Sequence, residues 1–286
     1  MPGIGGLVFN FRDIIDFSVF LLIWSILPGL IRSDKINSMS DKIEYTPKTV
    51  MSIHAHPDDQ DFTVAGTLAK WAKAGCEIVT VIITNGSAGS NDPAHAADYK
   101  PTLASIREGE QLAANAILGI KETIFMHQPD GELEPTVTLR KEVTKLIRRY
   151  KPDVVVTGDP QAVFYGNGYI NHPDHRAAAQ LALYAAFPSA GSRLLFAELL
   201  AEGYEPHNVK RVYIHGSEKP DTWVDIADTI DAKIAALKKH VSQVDTHDVD
   251  DWMRKWAEEE GKEKGLKYAE AYKVMILEEQ EEKPEN

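Results

Sequence analysis

The sequence predicts an α/β fold, a Rossmann-like three-layer sandwich with a mostly parallel sheet and helices on both faces. Three observations carry it. Four short runs are β-branched and apolar on both sides, as strands covered on two faces must be: "TVMSIHA" (49–55), "EIVTVIIT" (77–84), "TIFMH" (123–127) and "DVVVTG" (153–158). Patterns of helical period lie between them: "TVAGTLAKWAKAG" (63–75), "TLASIREGEQLAANAILG" (102–119) and "VTLRKEVTKLIRRY" (137–150). Regular alternation of strand and helix implies parallel strands joined by right-handed crossovers.

Residues 1–47 read as an N-terminal hydrophobic segment and linker. "FSVFLLIWSILPGLI" (17–31) runs 15 residues without a charge, whereas a bilayer span needs roughly 20. It also ends on Pro28 and Gly29. It can be a helix packed on the body or a neighbour, a membrane or signal element, or an extension ahead of a start at Met39. Residues 48–278 are expected to form a single α/β domain. Gly75 and Gly119 stand where helix C-caps belong, and Pro152 marks a stop. "NHPDHRAAAQLALYAAF" opens a further helix, with Asn171 or His172 at the N-cap and Pro173 in the first turn. "VKRVYIHG" (209–216) is a strand, two charged helices cover about 227–241 and 248–264, and "YKVMIL" (272–277) is a last apolar run. Residues 279–286 are an acidic tail, expected to be disordered.

The 286 residues carry a net charge of −12, which argues against nucleic acid as a partner. Cys76 is alone, so no internal disulfide or thiolate metal site is possible, and the thiol is expected to pack as a small hydrophobe. Any metal must be held by nitrogen and oxygen.

Such donors crowd "SIHAHPDDQDF" (52–62), which follows the first strand. Ligands of open parallel sheets bind at the carboxyl ends of the strands. A second cluster, "NHPDHR" (171–176), follows the fourth strand and so reaches the same edge. Its histidines, His172 and His175, are three apart at a helix start and point to one side. One histidine and one carboxylate of the first cluster, with one histidine of the second, would make a three-ligand zinc site with an open corner. The neighbouring carboxylate is then free to act as a base towards water. Two plainer readings compete. Asp58 or Asp59 can be a helix N-cap, and "HPDH" can be an N-cap with proline behind it. His54, inside the strand, is expected to be packed or hydrogen-bonded rather than a ligand.

At these residues the chain resembles the LmbE-like, or PIG-L, family of zinc-dependent N-acetylglucosamine deacetylases, in "AHPDD" (55–59), "GTLA" (66–69) and "HPDH" (172–175). "IREGEQLAANAILGI" (106–120) is similar to the family's Arg-x-x-Glu helix, and "QPDGEL" (128–133) to its Asp-containing loop. "IHAHPDDQDFTVAGTLAKWA" and "NGSAGSND" resemble the archaeal diacetylchitobiose deacetylase branch. The resemblance implies that His56, Asp59 and His175 bind one Zn2+ per subunit, that Asp58 is the general base, and that His172 steadies the oxyanion. Arg107 and Asp130 would hold sugar hydroxyls, and Tyr169, chosen over Tyr165, would assist the carbonyl. Gln60 departs from the Glu that many members carry, and the longer spacing before "HPDH" leaves the tyrosine open.

The implied reaction removes the N-acetyl group from diacetylchitobiose or N-acetylglucosamine and releases acetate, as in chitin-oligosaccharide breakdown. The implied partner is a small amino sugar, the implied assembly a homo-oligomer (a hexamer by resemblance), and the expected compartment the cytoplasm. A membrane is not expected, since an acidic surface suits a soluble disaccharide better than an anionic headgroup. Tyr204, Trp223, Trp252 and Trp256 could stack on a second sugar ring, although tryptophans at helical spacing usually serve a core or an interface. Two alternatives stand beside this reading. One is a membrane-attached deacetylase of an N-acetylglucosaminyl lipid. The other is a non-catalytic sugar- or nucleotide-binding module, weakened for dinucleotides by the missing Gly-x-Gly-x-x-Gly.

Overall fold

A computed structural model describes residues 45–244 and 249–278; the apolar run at 17–31 and the tail at 279–286 lie outside them. The expected strands appear as β1 (Thr49–His54), β2 (Glu77–Thr84), β3 (Glu122–Gln128), β4 (Val154–Gly158) and β7 (Arg211–His215), and the last apolar run falls in a further strand, β9 (Ala269–Ile276). Three short ones join them: β5 (Phe164–Tyr165) and β6 (Tyr169–Ile170), which form a hairpin, and β8 (Thr222–Asp225). The helices are α1 (Asp59–Thr63), α2 (Ala65–Lys73), α3 (Lys100–Leu118), α4 (Val137–Tyr150), α5 (Pro173–Tyr184), α6 (Glu198–Ala201), α7 (Ile230–Leu237) and α8 (Val249–Lys262). The pattern at 63–75 suggested one helix. The structure starts it earlier and breaks it at Val64, whose φ of −126° leaves the helical region. Gly119 caps α3 in the left-handed conformation.

Seven strands form one sheet in the order β3-β2-β1-β4-β7-β9-β8. The first five are mutually parallel, and β9 runs antiparallel to both of its neighbours. The strand order reverses between β1 and β4, which opens a crevice outside their carboxyl ends.

Side chains alternate across β1. Met51, Ile53 and Ala55 join Val81, Ile83 and Val155 against Val143 and Ile147 of α4 and Leu181 of α5. On the opposite face Trp71 of α2 meets Tyr213 edge-on at 5.2 Å between ring centroids, and Tyr213 meets Tyr272 at 5.4 Å. Both faces of the sheet are therefore covered, as its apolar strands require. Cys76 is half-buried, and burial pushes its thiol up to about 12. Among the described residues no helix is long and apolar enough to cross a membrane.

The start of α2 shows what "GTLA" does. Glu270 of β9 accepts the backbone N–H groups of Gly66 (2.9 Å) and Thr67 (2.8 Å), and Lys233 of α7 donates to it at 2.5 Å. A carboxylate suits a helix N-terminus, and the buried pair neutralises itself. A Cβ at Gly66 would lie 2.8–2.9 Å from three carbons of Ile226. Glycine is there because α2 and the Ile226 side chain approach each other so closely. Gly66→Ala is expected to destabilise the fold by about 1–3 kcal/mol through overpacking, read by chemical denaturation.

Candidate metal centre

Two segments build the site. After β1 the chain turns through Ala55–Asp58, and Asp59 opens α1. After the β5–β6 hairpin, His172 takes the N-cap of α5 with Pro173 at the first position. Because β1 and β4 are parallel neighbours, both segments leave the same edge of the sheet.

There three residues converge through four atoms, Asp59 using one oxygen towards each histidine. His56 Nδ1 lies 3.1 Å from His175 Nε2, His175 Nε2 lies 3.0 Å from Asp59 Oδ1, and His56 Nδ1 lies 3.6 Å from Asp59 Oδ2. A tetrahedral ion with bonds of about 2.0–2.1 Å separates its ligand atoms by about 3.3 Å, which is close to each of these contacts, although they engage different oxygens of Asp59. The other ring nitrogens explain the orientation. His56 Nε2 faces Asp130 Oδ1 at 3.0 Å and Asp174 Oδ2 at 3.4 Å, and His175 Nδ1 meets Asn171 Oδ1 at 3.1 Å. Protons on those outer nitrogens leave lone pairs on the inner ones, both aimed at a carboxylate. A proton can bridge any one of these contacts, and a divalent metal ion would satisfy all the donors together.

The titration behaviour follows the same logic. Burial opposes charge on His56, yet Asp59, Asp130 and Asp174 hold its imidazole well above the usual histidine range. Burial likewise opposes charge on Asp59, but His175 and His56 hold its carboxyl well below the usual carboxylate range. His56, Asp130 and Asp174 form a second donor group around the opposite ring nitrogen. Backbone amides already occupy it: Ala88 donates to Asp130, and Gly131 and Leu133 donate to Asp174. These carboxylates orient His56 and tie down the 129–133 loop.

Asp58 stands apart from Asp59. Burial pushes its carboxyl up to about 6, against the pull of Arg107. Asp58 stands at the N-cap position of α1 with a φ of 106°, in left-handed space, but its side chain makes no capping hydrogen bond, so capping does not account for its carboxylate. Arg107, only 4% exposed, donates to Asp58 Oδ2 (3.1 Å) and to the carbonyls of Pro57 (2.7 Å) and Gly86 (2.8 Å). Its guanidinium thus already has protein partners at the position where the resemblance implied sugar contact. Gln60 is fully buried, donating to Asn115 and accepting from Thr80, so its departure from Glu bears on packing beneath the site.

His172 both caps and faces the site. Its Nδ1 accepts the Asp174 N–H at 3.2 Å, which puts the proton of the neutral ring on Nε2. Burial, then His56 and His175, hold its pKa below the usual histidine value. One of its ring nitrogens lies within 4.8 Å of those of His56 and His175. His54 is packed as expected, 2.9 Å from Ser52 Oγ and stacked on His215. Tyr165 and Tyr169 face each other on the hairpin at 6.0 Å, and both line the cavity over the site. Sequence reasoning gave Asp174 no role and Asn171 only a possible N-cap, a place that His172 takes; their position as polar residues at a helix start inside "NHPDH" was the available signal, and the structure buries both.

The site opens into a cavity of about 900 Å³ lined by His56, Asp58, Asp59, Arg107, His172 and His175, among others. The family model described as PIG-L, GlcNAc-PI de-N-acetylase, matches residues 51–186. Diacetylchitobiose deacetylase of Thermococcus kodakarensis is 31% identical over 80% of this chain and 83% of its own length. A 1D-myo-inositol 2-acetamido-2-deoxy-alpha-D-glucopyranoside deacetylase of Kineococcus radiotolerans is 28% identical over 71% of each chain. The solved N,N'-diacetylchitobiose deacetylase of Pyrococcus horikoshii superposes with a TM-score of 0.74 at 28% identity, covering 93% of this chain and 95% of that one. With "AHPDD" and "HPDH" meeting in one donor cluster, the chain belongs to the PIG-L, or LmbE-like, deacetylase family.

Proposed function

We propose that this protein is a zinc-dependent hydrolase that removes the N-acetyl group from diacetylchitobiose or N-acetylglucosamine, releasing acetate and a free amine. The observation that carries this reading is the donor triangle of His56, Asp59 and His175 beside a second buried carboxylate, Asp58, whose pKa is raised to about 6.

In this reading His56, Asp59 and His175 hold the ion. When bound, zinc supplies a Lewis acid that polarises the acetyl carbonyl and makes water more acidic. Asp58 takes a proton from the attacking water as the new C–O bond forms. His172, with its proton on Nε2, donates to the oxyanion of the tetrahedral intermediate. Asp58 then returns the proton to the nitrogen as the C–N bond breaks, so the amine leaves neutral and the acid keeps the other proton of the water, which it loses to solvent to become acetate. A base is most useful with a pKa near the working pH, and burial moves Asp58 in that direction. Asp130, Arg107 and Tyr169, all on the cavity wall, are assigned to the sugar hydroxyls and the carbonyl. Arg107 has the further task of holding Asp58. The cytoplasm is the proposed compartment and a homohexamer the proposed assembly; light scattering that gives a monomer at working concentration would sink the latter.

Asp58→Asn is expected to lower kcat by about 10²–10⁴-fold, the range for a general base, while metal analysis still finds one ion per chain. An undiminished rate would remove Asp58 from the chemistry. Chelation is expected to abolish acetate release and one equivalent of zinc to restore it. His175→Ala is expected to lose the bound ion itself, measured by elemental analysis of the purified protein.

A further inference from the structure

Outside the donor cluster, Asp61 and His240 form a histidine–carboxylate pair that the chemistry described above does not use, and both side chains are fully buried. His240 Nε2 lies 3.0 Å from Asp61 Oδ2, across 179 positions of the chain. Facing a carboxylate, that nitrogen carries a proton and donates it. Buried pairs of this kind stabilise a fold no better than apolar side chains of the same volume, so stability alone does not account for it.

The segment that carries His240 is strapped down on both sides of the site. It follows α7, and its Ser242 donates from N–H (2.8 Å) and Oγ (2.7 Å) to Glu110 of α3. Gln243 Nε2 donates to the carbonyl of Gly89 at 3.2 Å, in the loop after β2. His240 is thereby held against α1 and α3 at the point where they face each other.

From there a path of hydrogen bonds leads to the base. Asp61 Oδ2 also accepts from Gln111 Nε2 at 2.9 Å, and the same nitrogen donates to Asn115 Oδ1 at 3.2 Å. Asn115 is itself fixed, since its Nδ2 donates to Thr123 Oγ1 at 2.8 Å. Two acceptors on the nitrogen side of Gln111 leave its amide one orientation, with Oε1 turned to the Asp58 N–H at 2.9 Å. A reversed amide would set donor against donor. The path therefore ends on the backbone of the one residue at the site with a φ of 106°. Arg107 holds the same residue by its carboxylate.

We infer that His240 is a positioning residue for the reaction: acting through Asp61 and Gln111, it fixes the backbone of Asp58 and so aims its carboxylate at the attacking water. The inference rests on Asp58 as the general base. It separates two properties of the site, because the proposed ligands and the residues assigned to the sugar lie off the path.

The test measures kcat, KM and zinc content of the full chain with diacetylchitobiose. His240→Leu is expected to lower kcat by about 10–100-fold, the scale of a reacting group displaced by about an ångström, with KM and one zinc per chain unchanged. His240→Gln, which keeps an N–H for Asp61, is expected to retain most of the rate. In an Asp58→Asn background His240→Leu is expected to change nothing further, as for a residue that acts through another. An unchanged kcat per bound zinc overturns the inference, and so do effects of the two substitutions that multiply, which mark a merely structural role. Should the leucine variant fail to fold, Gln111→Met breaks the last bond of the path and leaves the buried pair intact. It is expected to show the same fall in kcat at unchanged KM, and an undiminished kcat again overturns the inference. Wild-type protein that releases no acetate, or an Asp58→Asn variant as active as wild type, defeats the reading of the base itself and the inference with it.

Discussion

The parallel pairing of β1 with β4 sets the position of everything at the site. Val50 lies opposite Val154, Met51 opposite Val155 and Ser52 opposite Val156. Polar contacts fasten the register at both ends: Lys48 N–H donates to Asp153, and Thr157 Oγ1 to the Ile53 carbonyl. A slip of one residue would displace a strand end by about 3.3 Å and turn its side chains to the other face. That shift is as large as the 3.1 Å between the facing nitrogens of His56 and His175. Two histidines 119 positions apart can face each other, and share the proposed ion, because the apolar sheet core resists such a slip.

Within that frame the protein separates two adjacent carboxylates by their surroundings. Asp59 faces two imidazoles and is held ionised, whereas Asp58 is buried with a single guanidinium partner and is pushed towards neutral pH. Carboxyl groups whose environments drive their affinities for protons apart are suited to different tasks. The proposed division, one on the ion and one on water, needs that split. Asp130 and Asp174 add two further carboxylates, but backbone amides donate hydrogen bonds to them, and they face the outer nitrogen of His56, away from the proposed ion.

The strands and helices that position the site were legible because their side chains repeat with the period of the element. Helix α4 begins and ends where "VTLRKEVTKLIRRY" does, and β2 coincides with "EIVTVIIT". The meeting of the two clusters was legible because dense imidazoles and carboxylates at strand ends have few structural uses. Elements too short to carry a period escaped: β8 is four residues, and β5 and β6 are two each. Partnerships between distant residues escaped as well. Nothing in "NHPDH" says that Asp174 will reach Gly131, or that Trp252 and Trp256, a pair expected in a core or an interface, will stand half-exposed on a cavity wall.

Helix α3 is where the recognisable motifs and the strain at the site come together. Arg107, Gln111 and Asn115, four apart on one buried face, turn polar groups towards α1 instead of apolar ones. Gln111 accepts the Asp58 N–H at 2.9 Å and donates to Asp61, which His240 meets from the other side at 3.0 Å. This network holds Asp58 in left-handed backbone, a conformation that costs a non-glycine residue on the order of 1–3 kcal/mol. The same helix explains the first glycine of "NGSAGSND". Gly86 has a φ of +62°, and a Cβ there would lie 2.9 Å from both the Arg107 guanidinium and the Pro57 ring. Loop, arginine and strained aspartate therefore form one assembly, in which a larger residue at Gly86 would displace Arg107 and release Asp58 from the position the proposed reaction needs.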